Sequence, residues 1–353
     1  MTPPKKPSAP ARAALPSRST IEDVAREAGV SKATVSRFLN HRETLLSRDI
    51  ATRVEVAVAA LGYSPSPMAQ ALKRGRSRLI GLVVADVTNP FSVAVLRGAE
   101  RACKEAGYLV MLFNLGNESG REKAAVEAMA SYQVEGFILN TLGRDASTVA
   151  AAQRHGRPVV LVDRRHADMQ ADFVSLDNAG ATQLCGEHLV AAGYGELLFV
   201  SEPVRDVSSR VERRNGFEAF VAAHAAKVKG RPVESTADDP AGLDEALRQL
   251  KKRAGKRSAA VVSSNAVITL RIAASMARLG WRLGSDVGLV GFDDTEWAPL
   301  IGPGITTIAQ PTDELGRLAA SCLLERLQGL DMPPRQILLP GKLMARGSTQ
   351  RAV

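Results

Sequence analysis

The spacing of apolar residues changes near residue 78, and the change divides the chain. Upstream, Ile21, Val24, Ala25 and Ala28 recur at helical spacing behind Thr20, a good N-cap. Gly29 ends that helix and Val30 fills the turn. Ser31 caps a second helix to about Leu39, with Val35 and Leu39 on one face, and Ser47 caps a third carrying Ile50, Val54, Val58 and Leu61. Three short helices with a glycine turn between the first two predict a helix-turn-helix. Downstream, RLIGLVVADV is a continuous apolar run, as in a parallel strand buried on both faces. Helices over 91–106, 120–132 and 146–155 then alternate with the strands YLVMLFN, GFILN and VVLVD. A second set repeats the alternation, with helices at 179–192, 209–226, 241–253 and 266–279 and strands ELLFVS, AAVVSS and VGLVGFD. ITTIAQP and QILLPGKLMAR flank a last helix at 313–328. This predicts two doubly wound α/β units in series, with ligands at the carboxyl ends of strands. Between the two patterns lies SPSPMAQALKRGRSR, a proline-punctuated linker with a short helical stretch.

Charge follows the same division. Residues 1–78 hold fourteen Lys and Arg against six Asp and Glu, so they carry +8 of the chain's +9. A basic head on a neutral body points to a polyanion as partner. At 353 residues two or three compact units are expected. Cys103, Cys185 and Cys322 stand far apart without metal spacing, as buried thiols in a reducing compartment do. The opening nineteen residues are Pro-, Ala- and Ser-rich without an apolar stretch, and no run reaches membrane-span length. The expectation is a cytoplasmic protein, nucleoid-associated when bound to DNA, with residues 1–18 as a disordered basic tail and no cofactor.

The second helix, SKATVSRFLN, shows what the basic head is for. In a helix-turn-helix its N-terminal residues enter the major groove. Lys32 and Ala33 are placed to meet base edges. Arg37, one turn on, has the fork that matches guanine, and Ser31, Thr34 and Ser36 suit phosphates. An enzyme on the α/β body would need a nucleophile, base or metal set, and none of the GxSxG, Walker, HExxH or post-strand GxGxxG patterns occurs. A transport-type sugar-binding protein would share the body but has no use for residues 19–75.

TIEDVAREAGVSKATVSRFLN, LGYSPSPMAQALKRGRSRLIGLVVADVTNPF, GFDDTE and ITTIAQP together resemble the lac-repressor (LacI/GalR) family of bacterial transcription regulators, from about Thr20 to the C-terminus. VEGFILNTLG, SSRVER and GITTIAQPTDELGR resemble, within it, repressors of ketogluconate and related sugar-acid utilisation. The resemblance implies an N-terminal all-α helix-turn-helix domain (19–64) and a hinge helix (65–77). An α/β core follows (78–350), built of two doubly wound parallel-sheet subdomains like those of periplasmic binding proteins. The N-subdomain would take about 78–178 and 308–337, and the C-subdomain about 179–305 and 338–350. The implied partners are double-stranded operator DNA, a sugar or sugar-acid effector such as 2-ketogluconate between the subdomains, and a second copy in a homodimer, with no membrane. The outcome expected is repression.

Carried onto this sequence, the DNA-binding set is Thr20, Ser31, Lys32, Ala33, Thr34, Ser36, Arg37, Asn40, Met68, Leu72 and Lys73. Leu72 matches the hinge leucine that wedges between base pairs, and Lys73 and Arg74 are cations for the minor groove. The effector set is Asn89, Phe91, Asp163, Arg164, Arg213, Asn265, Asp293 and Gln310. Ser92 stands where the family often has a second aromatic, and Trp297 is a candidate replacement. Two Asp and two Arg suit a neutral sugar as well as an acid, and Arg210 is the spare cation for a carboxylate. Each residue also has a plainer reading: Asp163 and Asp293 as turn caps, Asn265 as a helix cap, Phe91 as core, Arg213 as a solvated charge.

Overall fold

The first helix begins where its capping chemistry predicts. In the computed structural model, which describes residues 19–39, 46–65, 75–118, 120–142, 146–154, 156–165, 168–205 and 207–350, Thr20 closes a capping box on helix α1 (Ile21–Glu27). Its hydroxyl accepts from Asp23 N at 3.3 Å and Asp23 Oδ2 accepts from Thr20 N at 2.9 Å. Gly29, at φ +62°, turns the chain into α2 (Lys32–Leu39), and Ser47 caps α3 (Arg48–Ala60). One buried valine per helix, Val24, Val35 and Val54, forms the centre of this small core. It belongs to the first of two compact units, Met1–Ser77 and Arg78–Val353.

In the second unit, β1 (Leu79–Val84) leads through α4 (Pro90–Glu105) to β2 (Leu109–Asn114). Then come α5 (Arg121–Ser131), β3 (Gly136–Asn140), α6 (Ser147–Gln153), β4 (Val159–Val162) and β5 (Asp172–Leu176). The pattern repeats with α7 (Asn178–Ala191), β6 (Tyr194–Ser201), α8 (Ser208–Ala223), β7 (Lys229–Glu234), α9 (Pro240–Ala254) and β8 (Ser258–Ser263). It closes with α10 (Ala266–Arg278), β9 (Gly288–Phe292), β10 (Thr306–Ala309), α11 (Thr312–Leu327), β11 (Gln336–Leu339) and β12 (Lys342–Met344).

Two six-stranded sheets result, ordered β11-β5-β4-β3-β1-β2 and β12-β10-β9-β8-β6-β7. Strand order reverses at β1/β3 in one and β6/β8 in the other. All pairings are parallel except β10 with β12. Alternate residues of each strand face opposite layers, as a period of two requires. Ile80, Leu82 and Val84 pack under α4 and α11, while Val83 packs with Phe137 and Leu139 under α5 and α6.

The helices fall within a few residues of the sequence expectation, but two strands were not anticipated. β7, KGRPVE, lacks an apolar run because it is an edge strand paired only with β6, where Pro232 is tolerated. β5, DFVSL, is fully buried, but Asp172 and Ser175 interrupt its apolar pattern. Strand pairing also places Ile308 in the second sheet, against Phe292, and Leu338 and Leu339 in the first, against β5. These crossings lie a residue or two from the 308 and 338 boundaries, because each strand runs on until its pairing ends.

The close approach of α4 and α11 depends on two glycines. A Cβ at Gly98 would lie 2.0 Å from Asp313 O, and one at Gly316 would lie 2.0 Å from Val95 O. Among the described residues no helix is long and apolar enough to cross a membrane.

Candidate functional site

Within the first unit, α2 presents Ser31, Lys32, Ala33 and Arg37 to solvent, with Thr34 and Ser36 half-buried. Val35, and in part Phe38 and Leu39, form the face packed on α1 and α3. Ser31 caps the helix by accepting from Thr34 N at 3.2 Å. Lys32 Nζ lies 2.5 Å from Glu22 Oε1, and that contact holds the Glu22 carboxyl below its ordinary range. The turn is fixed from α3: Arg53 Nε and Nη2 donate to Ala28 O at 3.1 and 2.8 Å, and Nη2 also donates to Gly29 O at 3.0 Å. Thr20 is exposed and engaged in its capping box. Asn40, Met68, Leu72 and Lys73 lie outside the described residues.

In the second unit the expected effector residues sit at carboxyl ends of strands or in the first two turns of the helices that follow, and all but Asn89 fall into three groups. Phe91, Asp293 and Gln310 line a cavity of about 600 Å³, whose walls also include Arg97, Asp294, Glu296 and Trp297. Phe91 is 6% exposed, so it serves as cavity wall and as core residue at once. Trp297 stands in the same wall, while Ser92 is buried with its hydroxyl on Asn140 at 3.2 Å. Asn89 caps α4 by accepting from Phe91 N at 3.1 Å, so its side-chain oxygen is engaged in the backbone.

Asp163, Arg164 and Arg213 form a second, buried group. Asp163 follows β4 and Asp293 follows β9, and both hold positive φ, +68° and +74°. Arg164 Nε donates to Asp163 Oδ2 at 3.0 Å, and Ser209 at the start of α8 donates to the same oxygen at 3.3 Å, tying the subdomains together. Arg213 is 5% exposed. Its Nε donates to Asn178 Oδ1 at 2.7 Å and its Nη1 to Ser264 O at 2.5 Å. Nη2 donates to Gln310 Oε1 at 3.4 Å and lies 3.9 Å from Asp163, and the guanidinium stacks 4.3 Å from the Phe292 ring centroid. Gln310 in turn donates to Asp293 Oδ1 at 2.5 Å. The solvated-charge reading of Arg213 is therefore excluded. So is a guanidinium waiting unpaired for a ligand: its three nitrogens are already engaged.

Asn265 belongs to the third group. Its Oδ1 caps α10 by accepting from Ile268 N at 2.9 Å, and its Nδ2 donates to Glu202 Oε2 at 2.9 Å. The same Oε2 accepts from Arg210 Nη2 at 2.6 Å. Arg210 is thus paired with Glu202 rather than held in reserve.

Burial dominates the electrostatics. It pushes the Asp293 carboxyl up, against the pull of Arg213 and the hydrogen bonds from Ala266 N and Gln310. It pushes Glu212 up as well, where Asn178 Nδ2 donates to Oε2 at 2.8 Å, and it lowers the Arg213 guanidinium. Among the described residues, the carboxylates of Asp163, Glu202, Glu212, Asp293, Asp294 and Glu296 and the guanidinium groups of Arg97, Arg164, Arg210 and Arg213 share this region. The sequence reading missed Glu202, Glu212, Asn178 and Arg53. Only Glu202 carried a signal, its place directly after a predicted strand; the others are ordinary helix residues until the fold assembles them. Among the described residues no group of three or more His, Cys, Asp or Glu is placed to hold a metal ion.

With this geometry in hand, comparison with known proteins gives a consistent answer. Residues 20–66 match the family model for bacterial regulatory proteins of the lacI family, and residues 187–349 match a periplasmic binding protein-like domain. The HTH-type transcriptional regulator PtxS of Pseudomonas plecoglossicida is 44% identical over 332 residues, covering 94% of this chain and 96% of that protein. The HTH-type transcriptional regulator KdgR of Bacillus subtilis (strain 168) is 38% identical over 330 residues, covering 94% of this chain and 97% of the other. Among solved structures, the lac repressor dimer bound to operator and the anti-inducer ONPF superposes with a TM-score of 0.79 at 26% identity, covering 95% of this chain and 99% of that one.

Proposed function

The chain belongs to the lacI family of bacterial regulatory proteins, and on that premise we propose that it represses sugar-acid catabolism genes under the control of a small effector. It is a DNA-binding transcriptional regulator, not an enzyme, as its relatives are. The observation that carries the reading is the pairing of an exposed, cation-bearing α2 with a separate α/β unit holding a cavity of about 600 Å³ between its subdomains.

In this reading the protein acts as a homodimer, as the lac repressor does, and two copies of α2 enter successive major grooves of a near-palindromic operator. Lys32 and Ala33 approach base edges, Arg37 grips a guanine, and Ser31, Thr34 and Ser36 hold phosphates. Lys32 exchanges its Glu22 partner for DNA. Leu72 and Lys73 would act in the minor groove. In the core, Phe91 and Trp297 give flat faces to sugar C–H bonds while Asp293 and Gln310 take hydroxyls.

Operator binding tests the first half. Arg37→Ala lowers specific affinity by about 1–3 kcal/mol and relaxes base choice at one position per half-site, with a smaller loss on random DNA. Equal losses on both would remove Arg37 from base reading. Calorimetry of the full chain with 2-ketogluconate and with fructose, its neutral counterpart, tests the second. A neutral-sugar effector is the alternative, favoured by one observation: the carboxylates of the region outnumber its guanidinium groups, and each guanidinium has an acidic neighbour. Fructose binding tighter than the acid would select it.

A further inference from the structure

Glu202, directly after β6, is the one carboxylate among the described residues whose single oxygen joins groups from both sides of the β6/β8 switch. Its Oε2 accepts from Arg210 Nη2 at 2.6 Å, in the first turn of α8, and from Asn265 Nδ2 at 2.9 Å, at the cap of α10. Both donors are fixed from behind. Arg210 Nη1 donates to Pro203 O at 2.9 Å, and Asn265 Oδ1 is committed to Ile268 N at 2.9 Å, which sets the orientation of the amide. Glu202, Arg210 and Asn265 do not line the cavity themselves; they connect to it through Ala266, next to Asn265, whose N–H donates to the wall residue Asp293.

One oxygen bound by a guanidinium and an amide N–H is a carboxylate subsite, and here the protein fills it with its own side chain. We propose that Glu202 is the specificity-determining residue of the effector cleft, an internal occupant of a carboxylate subsite formed by Arg210 and Asn265. A neutral sugar leaves Glu202 in place and gives its hydroxyls to the outer lone pairs. A sugar acid has to displace Glu202, whose side chain is 22% exposed and so has solvent to move into. The exchange replaces one charge-assisted hydrogen-bond set by a chemically equal one. Acid binding therefore gains little from Arg210 while Glu202 keeps its charge. The inference rests on the cleft being an effector site for sugars or sugar acids.

The test is calorimetry on the full chain with two matched pairs, 2-ketogluconate against fructose and gluconate against glucitol, in wild type and Glu202→Gln. Glutamine keeps an acceptor oxygen for both donors, removes the charge and turns the second oxygen into an NH2 group. The acid should bind Glu202→Gln about tenfold more tightly than wild type, the worth of one charge-assisted hydrogen bond, with fructose and glucitol changed far less. Arg210→Gln should shift the acid-to-neutral ratio the opposite way. Glu202→Ala, with its melting temperature alongside, repeats the measurement should the glutamine variant fold poorly. Wild type binding one or both members of a pair, with an acid-to-neutral ratio unmoved in the Glu202 variants, overturns the inference alone. Wild type binding none of the four ligands removes the sugar-effector reading, and the inference with it.

Discussion

Arg213 touches four elements at once: α7 through Asn178, the end of β8 through the Ser264 carbonyl, the end of β10 through Gln310, and β9 through the Phe292 ring. Its nearest counter-charge is Asp163 at 3.9 Å, on the other subdomain. Such a group is costly to remove from one side only, because its partners stay buried without it. Arg213→Ala should lose about 3–5 kcal/mol of core stability, read from a denaturant titration, as well as effector binding. Retained stability would show that Asn178, Gln310 and the Ser264 carbonyl find other partners once the guanidinium is gone. The residue type and position were legible in SSRVERRNGF; the partners were not. They come from Asn178, Ser264 and Gln310, brought to one point only by the packing of two sheets. For the same reason Glu202 passed unnoticed: a glutamate after a strand acquires meaning only when Arg210 and Asn265 are seen on the same oxygen.

At the scale of elements, capping and periodicity made the helices legible, whereas β5 and β7 were hidden by polar residues that their positions in the sheets accommodate. The glycines at the α4–α11 contact were equally silent, yet they fix how closely α4, which carries the wall residue Phe91, approaches α11, which begins two residues after Gln310. Gly316→Ala puts a methyl 2.0 Å from Val95 O, so the helices must separate. The melting temperature should fall and effector affinity should fall with it, at a cost of about 1–3 kcal/mol for overpacking. Unchanged stability would show that the helices can shift freely. A second element contact is set by Asp172 at the start of β5, which receives Arg326 from α11 and Arg335 before β11. Burial raises its carboxyl, but the hydrogen bonds from Arg326 and then Arg335 outweigh that and hold it well below the ordinary range. A depressed carboxylate contributes stability that is present above its unfolded pKa, near about 4, and is lost as pH falls towards the folded value. Asp293 and Glu212, both raised, act with the opposite sign and stabilise as pH falls. Asp172→Asn should therefore be less stable at pH about 7 and lose less on going to pH about 3, as followed by thermal melts. A parallel offset at both pH values would contradict the ionic role of this contact.

For the molecule as a whole, the division of labour is written in the charge: +8 of the net +9 lies in residues 1–78, while the larger unit is nearly neutral. That separation has a thermodynamic consequence. If a ligand in the core cavity alters operator affinity by some factor, saturating operator must alter ligand affinity by the same factor, whichever sign the control takes. The two measurements respond differently to salt. Operator affinity should fall steeply with salt, with a log–log slope of about −0.9 per phosphate neutralised, because binding releases condensed counterions. A sugar in a cleft that releases no such counterions should show almost no slope. The coupling factor itself, expected at about 5–150-fold, should therefore persist across salt concentrations at which operator affinity changes by orders of magnitude. The check is fluorescence anisotropy on operator DNA with and without saturating 2-ketogluconate or fructose at several ionic strengths, beside calorimetry of the same ligand with and without operator. A coupling factor of one for a ligand that binds would show that the cavity does not control the DNA-binding unit. A factor that vanishes with salt would place the control in screened surface charge rather than in the closing of two subdomains around Asp163, Arg213 and Gln310.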